Sequence, residues 1–189
     1  MIVRGAVQYF SEVGLDGTTR DLARRLDVTQ PLIYAYFQSK SDLLEAVYNH
    51  VYLDRISPGW PRLITDRRRP IGARLRQFYH EYTAAIFTYE WMRIFMFSGL
   101  AGNELNRRYL GHLSGLILRP ILGEIRAQVE RGPLPEMEDI WNLHGGIVYI
   151  GIRRHVYLMP CPDDPMPAIT AAIDRFLSHY GIADGSLEA

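Results

Sequence analysis

The sequence of 189 residues has one cysteine, Cys161, and one lysine, Lys40. A lone cysteine closes no internal disulfide, so a cross-linked secreted scaffold is excluded and a reducing cytoplasm is the expected setting. Cys161 lies between two prolines in a loop without a basic neighbour, and reads as an inert thiol more readily than as a redox sensor. Long hydrophobic runs are missing too. The longest near-apolar stretch, residues 145–152, is far too short to span a bilayer, so no membrane partner is expected. Arg4, Gln8 and Glu12 interrupt the apolar pattern at the start, and no signal peptide is read there. Excess charge of either sign is also absent, with Lys+Arg and Asp+Glu both at 21. In residues 1–55, Arg4, Arg20, Arg24, Arg25, Lys40 and Arg55 stand against Glu12, Asp16, Asp21, Asp27, Asp42, Glu45 and Asp54. Any affinity for nucleic acid must therefore come from the placement of a few groups.

Enzyme signatures are equally scarce. The chain has no G-x-S-x-G elbow, P-loop, G-x-G-x-x-G or H-E-x-x-H. Its histidines, at 50, 80, 112, 144, 155 and 179, are scattered along the chain. Without a Glu-x-x-His pair, a di-iron bundle is not expected. The reading is of a protein that is not an enzyme and uses no cofactor or metal.

What is present is helical periodicity. Strand-like alternation, internal repeats and low-complexity segments do not occur, so the chain reads as all-α. Ile2, Ala6, Tyr9-Phe10 and Val13 recur at helical spacing, and Gly14 ends that helix. In residues 18–37, Thr18 and Thr19 supply hydroxyl caps, and Leu22, Ala23 and Leu26 form a narrow apolar stripe. Asp27 sits where the chain turns, since Asp tolerates the left-handed conformation better than most residues. Thr29 caps a second short helix with Pro31 in its first turn, where a missing N–H costs little. Ile33 and Phe37 point back at the first helix, leaving Gln30, Leu32, Tyr34 and Tyr36 on other surfaces. Either tyrosine can also pack in the small core, but Ile33 and Phe37 already fill that face. A short helix with a polar, aromatic outer face suits insertion into a DNA major groove.

Those residues carry a resemblance. Thr-Thr-x-Asp-Leu-Ala-x-x-Leu-x-Val-Thr-x-x-x-Ile-Tyr-x-Tyr-Phe, followed by Ser39-Lys40-x-Asp42-Leu43-Leu44, looks like the helix-turn-helix of the TetR family of bacterial repressors. The match reaches back to Ile2-x-x-x-Ala6-x-x-x-Phe10-x-x-x-Gly14-x-x-Gly17 and covers roughly the first 50 residues. The resemblance implies a homodimeric regulator that represses transcription, binds palindromic double-stranded operator DNA, and is released by a small-molecule effector. The second helix of the motif would enter the major groove. Gln30 would read a base edge, its amide suiting adenine, and Leu32 would meet a thymine methyl. Pro31, Tyr34 and Tyr36 match positions beside bases or phosphates, and Thr19, Arg20, Thr29 and Lys40 match backbone-clamping positions. Two departures stand out. Ala35 replaces a larger contacting side chain, and Asp27 replaces the usual turn glycine. Relatives commonly carry a polar or basic arm before the first helix, whereas this chain starts almost inside it.

The domain reading is a head over 1–52, including a linker helix from Lys40 to Tyr52, and a ligand-binding and dimerising body over 53–189. Residues 57–70 read as a linker, its Arg67-Arg68-Arg69 run as a solvated loop before a nucleic-acid patch. Helices are expected at 71–89, 90–100, 103–131 with a kink or break at Pro120, 137–158 and 168–180, with a frayed tail from Gly181. Tyr82, Trp91, Phe95, Tyr109, Trp141 and His144 are candidate walls of the cavity that the resemblance implies, suited to an apolar or aromatic ligand. For each ring the plainer reading is core, and for His144 a hydrogen-bonded core or interface histidine. The last two helices present more apolar surface than one body covers. Ile147, Ile150, Ile169, Ile173 and Phe176 are expected to meet a second copy in a four-helix bundle. The competing reading is a helical dimer that binds a small molecule and carries a degenerate head.

Overall fold

The computed structural model describes residues 1–102 and 104–183. Among these the chain is all-α, without a strand. In order come α1 (Ile2–Val13), α2 (Thr19–Arg25), α3 (Gln30–Tyr36), α4 (Lys40–Val51) and a 3-10 turn (Leu53–Arg55). Then follow α5 (Trp60–Thr65), α6 (Ile71–Ile86), α7 (Tyr89–Leu100), α8 (Glu104–Leu113), a π-helical stretch (Ser114–Leu118), α9 (Arg119–Arg126), α10 (Met137–His155) and α11 (Met166–His179). No helix among the described residues is long and apolar enough to cross a membrane.

Hydroxyl caps set four of the starts. Thr18, Thr29, Ser39 and Thr88 each accept the backbone N–H three residues on, opening α2, α3, α4 and α7. Each such cap contributes about 1 kcal/mol. Thr19 is the first helical residue, not a cap, and its side chain turns inward. Asp27 takes a φ of 52°, so it occupies the left-handed turn conformation usually left to glycine.

The chain divides into two compact units. One comprises Met1–Ile56 with Ile86–Tyr109, the other Ser57–Ala85 with the chain from Leu110 onward. The sequence boundary after Tyr52 differs from this division, because residues 86–109 fold back into the first unit. There α1 packs on α2, α4 and α7, around fully buried Ala6, Phe10, Leu22, Ile33 and Leu43. In the second unit α5, the π stretch, α9, α10 and α11 pack around Ile64, Ile121, Ile125, Ile140, Ile169 and Ile173.

Three expectations change in the second unit. The supposed linker contains α5. Pro61 lies in its first turn, where proline favours a helix, and the buried Trp60 donates from Nε1 to Glu81 at 2.9 Å. The break expected at Pro120 is a widened turn: the π-helical stretch runs directly into α9, with Pro120 in that helix's first turn. A proline without an N–H, its ring set against the carbonyl four residues back, favours such a rearrangement. Asn103, the first residue of the expected 103–131 helix, lies outside the described residues, as do residues 184–189 of the tail. The third change concerns the proposed dimer contacts. Ile147, Ile150, Ile169 and Ile173 are buried inside the chain, where α10 packs on α11, and Phe176 is half-buried. Their apolar surface is already covered without a partner. The face of α10 that is exposed carries Asn142, Gly145, Gly146 and Tyr149 instead.

Candidate nucleic-acid interface and aromatic clusters

The head's outer surface follows from how α3 spends its side chains. Ile33 is fully buried and Phe37 half-buried, as their spacing predicts. The same helix leaves Leu32 39%, Tyr34 42% and Tyr36 71% exposed. Pro31 and Ala35 are exposed beside them, and Arg20 is exposed on α2. Lys40 is half-buried with Nζ 6.0 Å from the centre of the Phe10 ring, a cation–π contact that seats its stem on α1. Thr29 is occupied as the α3 cap.

Thr19 has a different place from the one its sequence position implied. It is buried, and its Oγ1 accepts Gln30 Nε2 at 2.9 Å while lying 3.0 Å from Tyr34 OH. The hydroxyl thus ties Gln30, the first residue of α3, and Tyr34 of the same helix to α2. Gln30 keeps Oε1 and one amide proton for an outside group, the donor and acceptor pair an adenine edge requires. The surrounding charges are largely matched: Arg25 grips Glu12 with two bonds of 2.6 Å, and Arg24 pairs with Asp21 at 3.0 Å. The hydrogen bond from Arg25 holds the Glu12 carboxyl below its ordinary pKa.

One feature of this face escaped the sequence reading. Met1, Ile2 and Val3 join Leu32, Tyr36 and Phe37 around an apolar hollow of about 330 Å³. Its signal was available in the apolar start of the sequence, Met1-Ile2-Val3.

The six candidate ligand residues fall into two groups, one in each unit. In the first unit Trp91 stacks on Phe95 at 5.0 Å and meets Tyr52 and Tyr109 edge-on at 5.4 Å each. Arg108 of α8 forks onto Glu45 of α4 at 2.8 and 2.9 Å and lies 4.7 Å from the Tyr48 ring centre. Four buried polar atoms of this unit have no hydrogen-bond partner among the described residues: Tyr52 OH, Trp91 Nε1, Ser98 Oγ and Asn106 Oδ1. Each such group costs about 1–3 kcal/mol if left dry. Burial pushes the Tyr52 phenol well above its ordinary pKa.

In the second unit, Tyr79 OH and Tyr82 OH reach the two nitrogens of His144 at 3.4 and 3.5 Å, and the Trp141 ring lies 6.1 Å away. His144 is therefore a hydrogen-bonded core histidine. Burial depresses its pKa from 6.5 to about 4, so it is neutral at physiological pH.

Comparison with known proteins fits the head closely and the rest by fold alone. A family model described as bacterial regulatory proteins of the tetR family matches residues 2–47. The class A tetracycline repressor from transposon 1721 of Escherichia coli is 37% identical over 78 residues, 41% of this chain and 36% of that one. The class G tetracycline repressor of Vibrio anguillarum is 37% identical over 68 residues, 35% of this chain and 32% of that one. The chain thus spans about a third of the length of these curated relatives. Among solved structures, a TetR-family transcriptional regulator from Mesorhizobium loti MAFF303099 superposes with a TM-score of 0.60 at 14% identity, covering 95% of this chain and 92% of that one. A HlyIIR mutant protein bearing a linker with two thrombin sites gives 0.66 at 17% identity, covering 90% and 93%. The head, residues 2–47, is thus similar to bacterial regulatory proteins of the tetR family, and the chain as a whole shares its fold with these two solved structures.

Proposed function

We propose that the chain is a cytoplasmic, homodimeric repressor that binds a palindromic operator through α3 and leaves it when a small apolar or aromatic ligand binds. The observation that carries the DNA reading is the surface of α3. Leu32, Tyr34 and Tyr36 are exposed on a capped helix whose first residue, Gln30, is held by Thr19 with half its amide open. Arg20, Thr29, Pro31 and Lys40 flank that face and would fix it on the phosphates.

For the effector, the supporting feature is the ring group of Tyr52, Trp91, Phe95 and Tyr109, in which Tyr52 OH and Trp91 Nε1 are buried without a hydrogen-bond partner among the described residues. A ligand with an aromatic body and one or two polar groups would satisfy them. Entering beside Tyr52, it would move α4 relative to the rings it packs on, and α4 follows directly from α3 in the chain. Such a ligand regulates only if it binds the DNA-competent and incompetent forms unequally. For the dimer, the exposed α10 face of Gly145, Gly146 and Tyr149 is the surface available, with half-buried Phe176 of α11.

Mobility shifts on duplexes from upstream of the gene test the proposal. Wild type should retard one of them at nanomolar protein, and Gln30→Ala should weaken that complex by about 1–3 kcal/mol and relax one base position. Lys40→Ala should weaken all duplexes alike and reduce the salt slope by about one. Equal loss on every sequence from Gln30→Ala would remove its assigned role.

A further inference from the structure

We propose that the cleft formed by the α5–α6 loop, the start of α6 and the end of α9 binds a small phosphate-bearing anion. The cleft lies within the second unit, has a volume of about 440 Å³, and is lined by Arg67, Arg68, Arg69, Ile71, Arg74 and Glu124 among others. Its size is that of a site for a small molecule. The inference stands apart from the DNA-binding reading and survives or fails without it.

The charge at the cleft is built, not incidental. Arg74 is buried, its side chain 2% exposed, and its Nη1 donates to Glu124 Oε2 at 2.9 Å and to the Ile64 carbonyl. Its Nε has no partner among the described residues. Glu124 in turn holds Arg67, whose Nε and Nη2 grip the carboxylate at 3.0–3.2 Å. Burial would push the Glu124 carboxyl up, but the bonds from Arg67 and Arg74 outweigh it and hold its pKa below the ordinary value. Glu124 therefore stays ionised and fixes two guanidiniums, those of Arg67 and Arg74, at the wall. Arg68 and Arg69 stand exposed on the rim; Arg68 pairs with its neighbour Asp66, and Arg69 donates to Gln77. An exposed pair of that kind is worth little and is easily redirected to a ligand.

Four guanidiniums against the carboxylates of Asp66 and Glu124 leave a surplus of two positive charges. A dianion matches that surplus. The guanidiniums of Arg68 and Arg69 on the rim offer the several N–H donors that a phosphate's oxygens accept. The start of α6 adds backbone donors. The first intrahelical bond there runs from Arg74 N–H to Pro70, so the amides of residues 71–73 precede it, and no acidic residue lies in that turn. Ile71, Pro70 and Ala127 give the cleft an apolar edge suited to the carbon portion of a phosphate ester.

Calorimetric titration of the full chain with inorganic phosphate, against chloride at equal ionic strength, tests this. A saturable one-site isotherm is expected, with a sugar phosphate binding more tightly than inorganic phosphate because it also covers the apolar edge. Arg68→Ala/Arg69→Ala, both on exposed side chains, should keep the wild-type circular dichroism and weaken phosphate roughly tenfold or more. An isotherm unchanged by the double substitution, or reproduced by chloride, overturns the site. So does the absence of phosphate binding with loss of non-specific duplex affinity in the double variant, which makes the arginine run a nucleic-acid contact.

Discussion

On the proposed reading, Gln30 meets DNA with its amide already turned. The Thr19 hydroxyl holds Nε2 at 2.9 Å, so fewer rotamers must be frozen when a base arrives. Thr19→Val keeps the buried volume and removes the anchor. It should cut discrimination at the base read by Gln30 more than it cuts non-specific binding, measured by competition between single-base operator variants. Its cost to stability should stay near 1 kcal/mol. His144 supplies a second test. Its folded pKa of about 4 lies below the 6.5 of the free side chain. The unfolded state therefore takes up the proton first, and stability that is complete above pH 6.5 is lost as pH falls toward 4. The loss is on the order of 3 kcal/mol. His144→Phe should flatten that limb of the stability curve in urea titrations at pH 4 to 7; an unchanged limb would assign it to other groups. Single residues were legible where the cause is local. The caps and the Asp27 turn depend on neighbours three or four positions away. The Thr19–Gln30–Tyr34 tie joins residues 11 and 15 apart, and no spacing rule reports it.

Among the helices, the long periodic ones were legible and the punctuated ones were not. Trp60-Pro61 reads as a breaker pair until Trp60 is seen to bury itself and proline to start a helix. Pro120 was legible as an interruption, but its form, a π-helical stretch before the proline, depends on what the flanking turns pack against. Helix α10 shows the limit most clearly. Its apolar residues were counted correctly, but periodicity does not say whether a partner helix belongs to the same chain or to a second copy. Here α11 of the same chain covers them. A Cβ added at Gly145 or Gly146 meets open space within the chain. Gly145→Ala/Gly146→Ala should therefore raise the helix stability of a monomer, by up to about 1 kcal/mol per site. If two protomers close over these glycines, the same change should weaken the dimer in sedimentation equilibrium. Unchanged association would place the interface elsewhere.

For the molecule as a whole, the sequence carries the head far more specifically than the rest. The family model matches residues 2–47, and the curated relatives align over 68–78 residues. The later helices only need to be apolar at helical spacing, which is why fold likeness persists at 14–17% identity. The ring residues expected to wall one cavity fall in both units, because aromatic residues at helical spacing mark burial and do not by themselves define a pocket. The account stands or falls on whether the head distinguishes DNA sequences. The direct measurement is selection of bound duplexes from a random pool by the full chain, followed by affinity titration of the winner at physiological salt. The account predicts a two-fold symmetric sequence bound roughly a thousandfold or more tighter than random duplex. Repeated rounds that enrich no sequence, with equal affinity for selected and random duplexes, would contradict it.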